Sequence, residues 1–344
     1  MDNRNKTLAI LVKPFAFLSM VGSALVVREV LSDPTKRGLT YHRQLLALST
    51  CDFLSSLWMF MSTWPIPEGT DGIWGASGTT GSCTAQGFFI QLSTPTSALY
   101  NSCLSIYYLL VIRYQWTEEK MRRRAAWLLL IVPIAFSLAT SITGLALKLY
   151  NPTNLYCWIA KYPAGCEGAD CRGRSDLANS VFRWAFAIGP VWAAFFVATV
   201  CMTSVYLFIS RLPDEQVDGK VMGIFWFLIG EEGATVSKDA RSRRLARQAF
   251  WYLLAFYTTW LFTTIVRIYQ VTSTAPYALI VLLAIFLPSQ GTFNFLIYIR
   301  PRFLRNREKH PEWSTLKQMI DKDVQDHELG AFKMRSTMRR NDLP

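Results

Sequence analysis

From Cys83 through Ile112 the chain carries no charged side chain. As an α-helix rising about 1.5 Å per residue, this stretch outruns the ~30 Å hydrocarbon core of a bilayer. Yet it is rich in hydrogen-bonding groups: Gln86, Gln91, Ser93, Thr94, Thr96, Ser97, Tyr100, Asn101, Ser102 and Ser105 fall on most of its faces. Hydrocarbon penalises an unpartnered polar group, so a helix of this kind needs other helices around it. The stretch begins at a cysteine, holds Pro95 as a bend point, and ends at Arg113-Tyr114 ahead of Arg122-Arg123-Arg124. It reads as the central post of a helical bundle in a lipid bilayer.

The flanking sequence fits that setting. Hydrophobic residues make up 51% of the chain, with 22 Phe and 12 Trp, more than soluble domains usually carry. The net charge of +12 raises nucleic acid as a partner. Lys and Arg, however, gather between particular apolar spans, as the positive-inside rule describes, and no basic-aromatic module stands apart; nucleic-acid binding is set aside. The apolar pattern predicts an all-α membrane protein, a bundle of seven transmembrane helices over about 8–31, 40–64, 83–114, 125–147, 177–210, 249–271 and 277–299.

Most of the 36 Lys and Arg residues then fall on one side, which makes the N-terminus extracellular, the C-terminus cytoplasmic and the plasma membrane the expected location. The long apolar core of the first span and the basic cluster Arg28, Lys36, Arg37 and Arg43 after it favour a span over a cleavable signal peptide. Residues 303–344 are expected as a short amphipathic basic helix on the inner leaflet, stopped by Pro311, and a tail. Within that tail Trp313, Leu316, Ile320, Val324 and Leu329 recur at roughly helical spacing. Val221 to Gly230, apolar but too short to cross, lies in the third inner loop. Asn5-Lys6-Thr7 is a glycosylation sequon placed hard against the first span.

The cysteines sort by side. Cys51, Cys103 and Cys201 lie within spans, where a lone thiol is a small apolar filler. Cys83, Cys157, Cys166 and Cys171 fall on the outer side, an even number in an oxidising setting. Three pairings are open; the favoured one joins Cys83 to Cys157, tying the outer loop to the central helix, and closes Cys166 to Cys171 as a small ring. Paired CxxC knuckles for zinc are missing.

No catalytic set emerges. His42, at the inner end of the second span, and His310 and His327, beyond the seventh, lie on the inner side, and there is no HExxH, GxSxG or phosphate-cradling glycine loop. No enzyme activity and no cofactor is expected. The seventh span has no lysine, which removes a retinal Schiff base.

Ionisable groups at membrane depth are costly and mark function by default. They are Asp52, Arg183 and Arg267. Both arginines lie toward the outer ends of their spans and are expected to share one outward cavity as a cradle for a small anion, with Gln86, Gln91 and Tyr100 as neutral acceptors when it is empty. The plainer alternative is snorkelling, or a pair with Asp176. Asp52 sits deeper and is expected to organise Asn101, Ser105 or Asn294.

Several stretches resemble one family. Tyr156-Cys157-Trp158-Ile159, Gly189-Pro190, Cys103-Leu104-Ser105-Ile106-Tyr107 before a basic end, Trp260 with Arg267, and Gln290-Gly291-Thr292-Phe293-Asn294 with Tyr298 are similar to the slime-mould cyclic-AMP receptors and related cAMP-receptor-like G-protein-coupled receptors. The resemblance runs over most of Leu8 to Arg302. It implies a seven-helix receptor, the Cys83–Cys157 bridge and signalling through a heterotrimeric G protein. Leu48-Ser49-Thr50-Cys51-Asp52, Arg113-Tyr114 and Trp127 are similar to rhodopsin-like receptors instead, but Ile112 stands where an acid is expected, the sixth span lacks proline, and the seventh lacks Asn-Pro-x-x-Tyr.

The expectation is a receptor for an extracellular small anionic ligand. Arg113 and Tyr114 would couple to the G protein, and Asp52, Asn294 and Trp260 would form a switch. A multi-pass transporter or channel for a small solute is the alternative, disfavoured by the lack of an inverted repeat and of an acidic pair at mid-membrane.

Overall fold

The computed structural model describes residues 3–163, 166, 171–173, 175–211, 238–272 and 275–320. The segment 221–230, Val324 and Leu329 lie outside them. By its internal contacts the chain divides into a unit up to Asn294 and a second from Phe295.

The first unit is built of helices: α1 (Asn3–Ser32), α2 (Pro34–Arg37), α3 (Thr40–Met61), α4 (Thr80–Ile112), α5 (Glu118–Arg124), α6 (Ala126–Ala146), α7 (Asp176–Arg183), α8 (Gly189–Ile209), α9 (Lys238–Thr272) and α10 (Tyr277–Phe286), followed by the start of α11 (Gln290–Lys309). A π-helical turn, Trp184–Ile188, joins α7 to α8, and a 3-10 turn, Leu287–Ser289, joins α10 to α11. The only sheet among the described residues is a hairpin, β1 (Tyr150–Pro152) and β2 (Cys157–Ile159), antiparallel with Tyr150 opposite Ile159.

Six helical stretches are long and apolar enough to cross a membrane: Asn3–Ser32, Thr40–Met61, Ala126–Ala146, Ala178–Ile209, Ser242–Gln270 and Tyr277–Lys309. The protein is thus an all-α, multi-pass membrane protein in composition. Large apolar side chains such as Trp127, Ile131, Val132 and Ile142 on α6 and Phe196 on α8 are exposed, as lipid-facing positions are. α4 is longer than most of the six but too polar to meet the same measure. It packs against α3, α6, α8 and α9, and its buried residues recur on every face.

Several polar side chains of α4 divide into two sets. Ser93, Thr96, Asn101, Ser102 and Ser105 bond carbonyls of their own helix three or four residues back, which satisfies them without a neighbour. Thr94 meets Ser55 of α3 at 2.9 Å, and the Tyr100 hydroxyl donates to the Leu130 carbonyl of α6 at 2.6 Å. This second set ties helices together, as do Gln86, Gln91 and Ser97 of the same helix.

Several joints have a visible physical cause. Pro190 has no amide hydrogen to give the carbonyl four residues earlier, that of Phe186, and the helix widens into a π turn there. The Gln91 side chain supplies the missing donor, 3.0 Å from the Phe186 oxygen. The first amide of α3 has no cap from Leu39; Glu118 of α5 reaches across to the Thr40 amide at 2.6 Å and its hydroxyl at 2.5 Å. Gly291 lets the backbone of α11 approach α1 closely: a methyl group there would collide with Ser19 and Ser23, and the Gly291 amide donates to Ser19 Oγ at 2.9 Å.

α11 continues without a break through Pro301 to Lys309. The expected separate basic helix from 303 is therefore the final turns of the same helix, since a proline with helical φ removes one rung of the ladder and need not end it. In the second unit a turn follows and α12 (Thr315–Ile320) folds back, with Asn306 Nδ2 donating to the Gln318 carbonyl at 2.8 Å and His310 stacked on Trp313 at 4.1 Å.

Candidate functional site

The hairpin lies over one end of the bundle, pinned by the Cys83–Cys157 disulfide, and Cys166–Cys171 closes the second bridge. Gln86 fixes the bridge from below: its oxygen accepts the Cys157 amide at 2.8 Å, and its nitrogen donates to the carbonyls of Trp58 and Ser62 at 3.0 and 2.8 Å. Tyr150 of β1 fills the space between α4 and α6, where a Cβ on Gly87 or Gly144 would strike its ring, and its hydroxyl donates to the Ser141 carbonyl at 2.9 Å.

Under β2 opens a cleft of about 560 Å³, counting the space open to solvent at its mouth. Its walls are largely apolar and aromatic: Met59, Ile90, Pro95, Trp158, Ala187, Ile188, Val191, Trp192, Trp260 and Leu287. Thr94, Tyr156, Thr263, Thr264 and Arg267 supply its polar groups. Arg267 is the cation of the cleft. Its guanidinium lies over the Trp158 ring at 4.9 Å and donates to Gln270 at 2.7 Å, and no carboxylate pairs with it among the described residues.

Trp158 is itself held from behind, its indole N–H donating to the Gln91 oxygen at 2.9 Å. One glutamine thus serves both the π turn and the aromatic plate beneath the arginine. Burial raises the pKa of the Tyr156 hydroxyl above its usual value, while the charges of Arg267 and Arg183 pull it the other way, so this tyrosine lies within electrostatic reach of both.

The expected cradle is assembled differently. Arg267 lines the cleft, whereas Arg183 turns its Nε to the Ile159 carbonyl at 2.7 Å and braces β2. The Asp176 side chain lies outside the described residues. Gln86, Gln91 and Tyr100 spend their polar groups inside the bundle, on loop backbone, Trp158 and Leu130, and do not line the cleft. Sequence reasoning missed Thr263, Thr264 and Trp192 as wall residues. Thr263 sits one helical turn from Arg267, a spacing that could have flagged it.

Below the cleft runs a chain of hydrogen bonds through the interior. Trp260 Nε1 donates to Gln290 Oε1 at 3.2 Å, and Gln290 Nε2 donates to Ser97 Oγ at 2.5 Å. Ser97 donates to one oxygen of Asp52, and Asn294 Nδ2 donates to the other at 2.7 Å. Asp52, Asn294 and Trp260, expected as a switch, are joined by two residues that sequence reasoning left unassigned, Ser97 and Gln290. Asn101 and Ser105 are taken up by α4 itself.

At the other end of α4, Arg113 and Tyr114 are exposed, with the Arg113 guanidinium 5.7 Å from the Tyr114 ring. Lys13 of α1 places its ammonium 3.3 Å from the centre of the Trp64 ring. Asn5, the sequon residue, lies in α1 and donates to the Gly72 carbonyl at 3.1 Å. Among the described residues no group of three or more His, Cys, Asp or Glu could hold a metal ion.

No family model matches this chain, and no curated protein matches it.

Proposed function

We propose that the protein is a G-protein-coupled receptor of seven transmembrane helices, with α4 as the third, that senses a small anionic ligand from outside the cell and activates a heterotrimeric G protein. The observation that carries this reading is the continuity of the cleft with the buried chain Trp260–Gln290–Ser97–Asp52–Asn294. A ligand pressing on Trp260 acts on a hydrogen-bonded path through α9, α11, α4 and α3, and small rearrangements in such packed networks are bistable rather than graded. Further support comes from α4, uncharged from Cys83 to Ile112 and enclosed by four helices. The bridged hairpin at the cleft end belongs to the oxidising face, and the Lys- and Arg-rich loops to the cytoplasm. The residues quoted above for their resemblance to cAMP-receptor-like receptors point to the same class.

In this reading Arg267 meets the anion through charge-assisted bonds, and Arg183 holds the hairpin that roofs it. Arg267→Gln is expected to weaken agonist potency roughly ten- to a hundred-fold, the 1.5–3 kcal/mol typical of a hydrogen bond to a charged group. Nucleotide exchange on an added heterotrimeric G protein, driven by a panel of anionic, neutral and cationic metabolites, measures it. A best agonist that is cationic or uncharged would remove the anion from the proposal. Exchange stimulated by no metabolite, alongside solute flux into vesicles carrying the protein, would favour the transporter.

A further inference from the structure

Three of the five polar residues of the cleft, Thr263, Thr264 and Arg267, follow one helix, with Thr94 of α4 and Tyr156 completing the set. Arg267 and Thr263 stand one turn apart on the same face of α9. The Thr263 hydroxyl is buried without a hydrogen-bond partner, an unusual state for a side chain that can bond its own helix as its neighbours Thr258 and Thr259 do. Arg267 gives one hydrogen bond, to Gln270, and so keeps donors for a second acceptor. The remaining walls are mostly apolar, among them Met59, Ile90, Val191, Trp192, Leu287 and Trp260.

We infer that the cleft takes a single-headed monoanion, a carboxylate carried on an apolar aliphatic or aromatic body, rather than a hydroxyl-rich or multiply charged anion. The inference rests on the reading of this cleft as the ligand site and goes further by naming the ligand's chemistry. A carboxylate matches the planar fork of one guanidinium, and the unpartnered Thr263 hydroxyl lies one helical turn from Arg267 in the same cleft wall. A second charge would find no second cation among the lining residues, and a ring of hydroxyls would shed most of its water against tryptophan, methionine and leucine. An apolar body gains from that same burial and reaches Trp260, the first member of the interior chain.

The test uses the full-length protein in lipid nanodiscs without any G protein. Its thermal midpoint is followed against octanoate, 4-phenylbutyrate, their primary amides, citrate and glucose 6-phosphate. At least one of the two acids should stabilise the protein at concentrations about tenfold or more below those its amide requires, a difference of ~1.4 kcal/mol. Arg267→Gln should erase the acid–amide difference. Thr263→Val, which removes only an unpartnered hydroxyl, should not lower the empty protein's midpoint and should weaken the acid several-fold. If Arg267→Gln does not fold, the acid–amide comparison and Thr263→Val decide. Equal binding of acid and amide, stronger binding of citrate or glucose 6-phosphate, or no stabilisation by either acid at millimolar concentration overturns the inference. Nucleotide exchange is scored separately: acid binding without exchange leaves the inference standing and removes the receptor reading, and exchange driven by citrate or glucose 6-phosphate does the reverse.

Discussion

Gln86 and Gln91 sit at neighbouring levels of α4, and each makes three hydrogen bonds to groups far away in sequence. A glutamine offers two donors and an acceptor on one stiff amide, which suits it to bracket backbone groups that no helix or sheet satisfies. Truncating such a bracket leaves several buried groups unpaired at once. Gln86→Leu should therefore cost about 2–4 kcal/mol, seen as a lower denaturation midpoint, because the Cys157 amide and two carbonyls lose their partner. Ligand affinity per folded molecule should hold. A midpoint equal to wild type with lost affinity would return Gln86 to the ligand site.

At the level of elements, the joints follow from local chemistry met by a distant side chain. Pro190 disturbs the helix at a place the sequence marks, yet the repair by Gln91 of the Phe186 carbonyl comes from another helix. The N-terminus of α3 lacks its own cap, and Glu118 of α5 provides one, with a carboxylate also favoured at the positive end of the helix dipole. Removing that cap as Glu118→Ala should lower stability by about 1–2 kcal/mol. In a double-mutant cycle with Thr40→Val the two changes should be less than additive, since both act on one contact. Full additivity of the measured unfolding midpoints would mean that Glu118 and Thr40 contribute independently.

Over the whole molecule, the proposed signal runs from the cleft to the basic end where α4 finishes. Arg113 is exposed there beside Tyr114, and Ile112 before it is buried and carries no charge that could pair with it. An arginine so placed can meet the carbonyls at the C-terminal, negative end of an inserted partner helix. Arg113→Ala is expected to cut G-protein nucleotide exchange severely while agonist affinity stays within about three-fold, well under the 1.4 kcal/mol of a tenfold change. Equal exchange by variant and wild type would deny Arg113 that role.

The amino-acid sequence by itself pointed to the medium and to an all-α, multi-pass membrane protein: apolar stretches of spanning length and basic loops between them are properties of composition along the chain. It also marked Asp52, Asn294, Trp260 and Arg267 as groups too costly or too placed to be idle. Tertiary structure decided which of these meet. Ser97 and Gln290 look like any polar residues of an apolar helix until α4 and α11 are set side by side, and Gln86 and Gln91 look like ligand acceptors until the hairpin occupies them. The reason is geometric. A helix presents a side chain in a direction that the sequence gives only up to rotation and tilt, and Ser, Thr and Asn can turn back onto their own carbonyls. Whether a polar group faces itself, a neighbour or a ligand is therefore a property of the packed bundle.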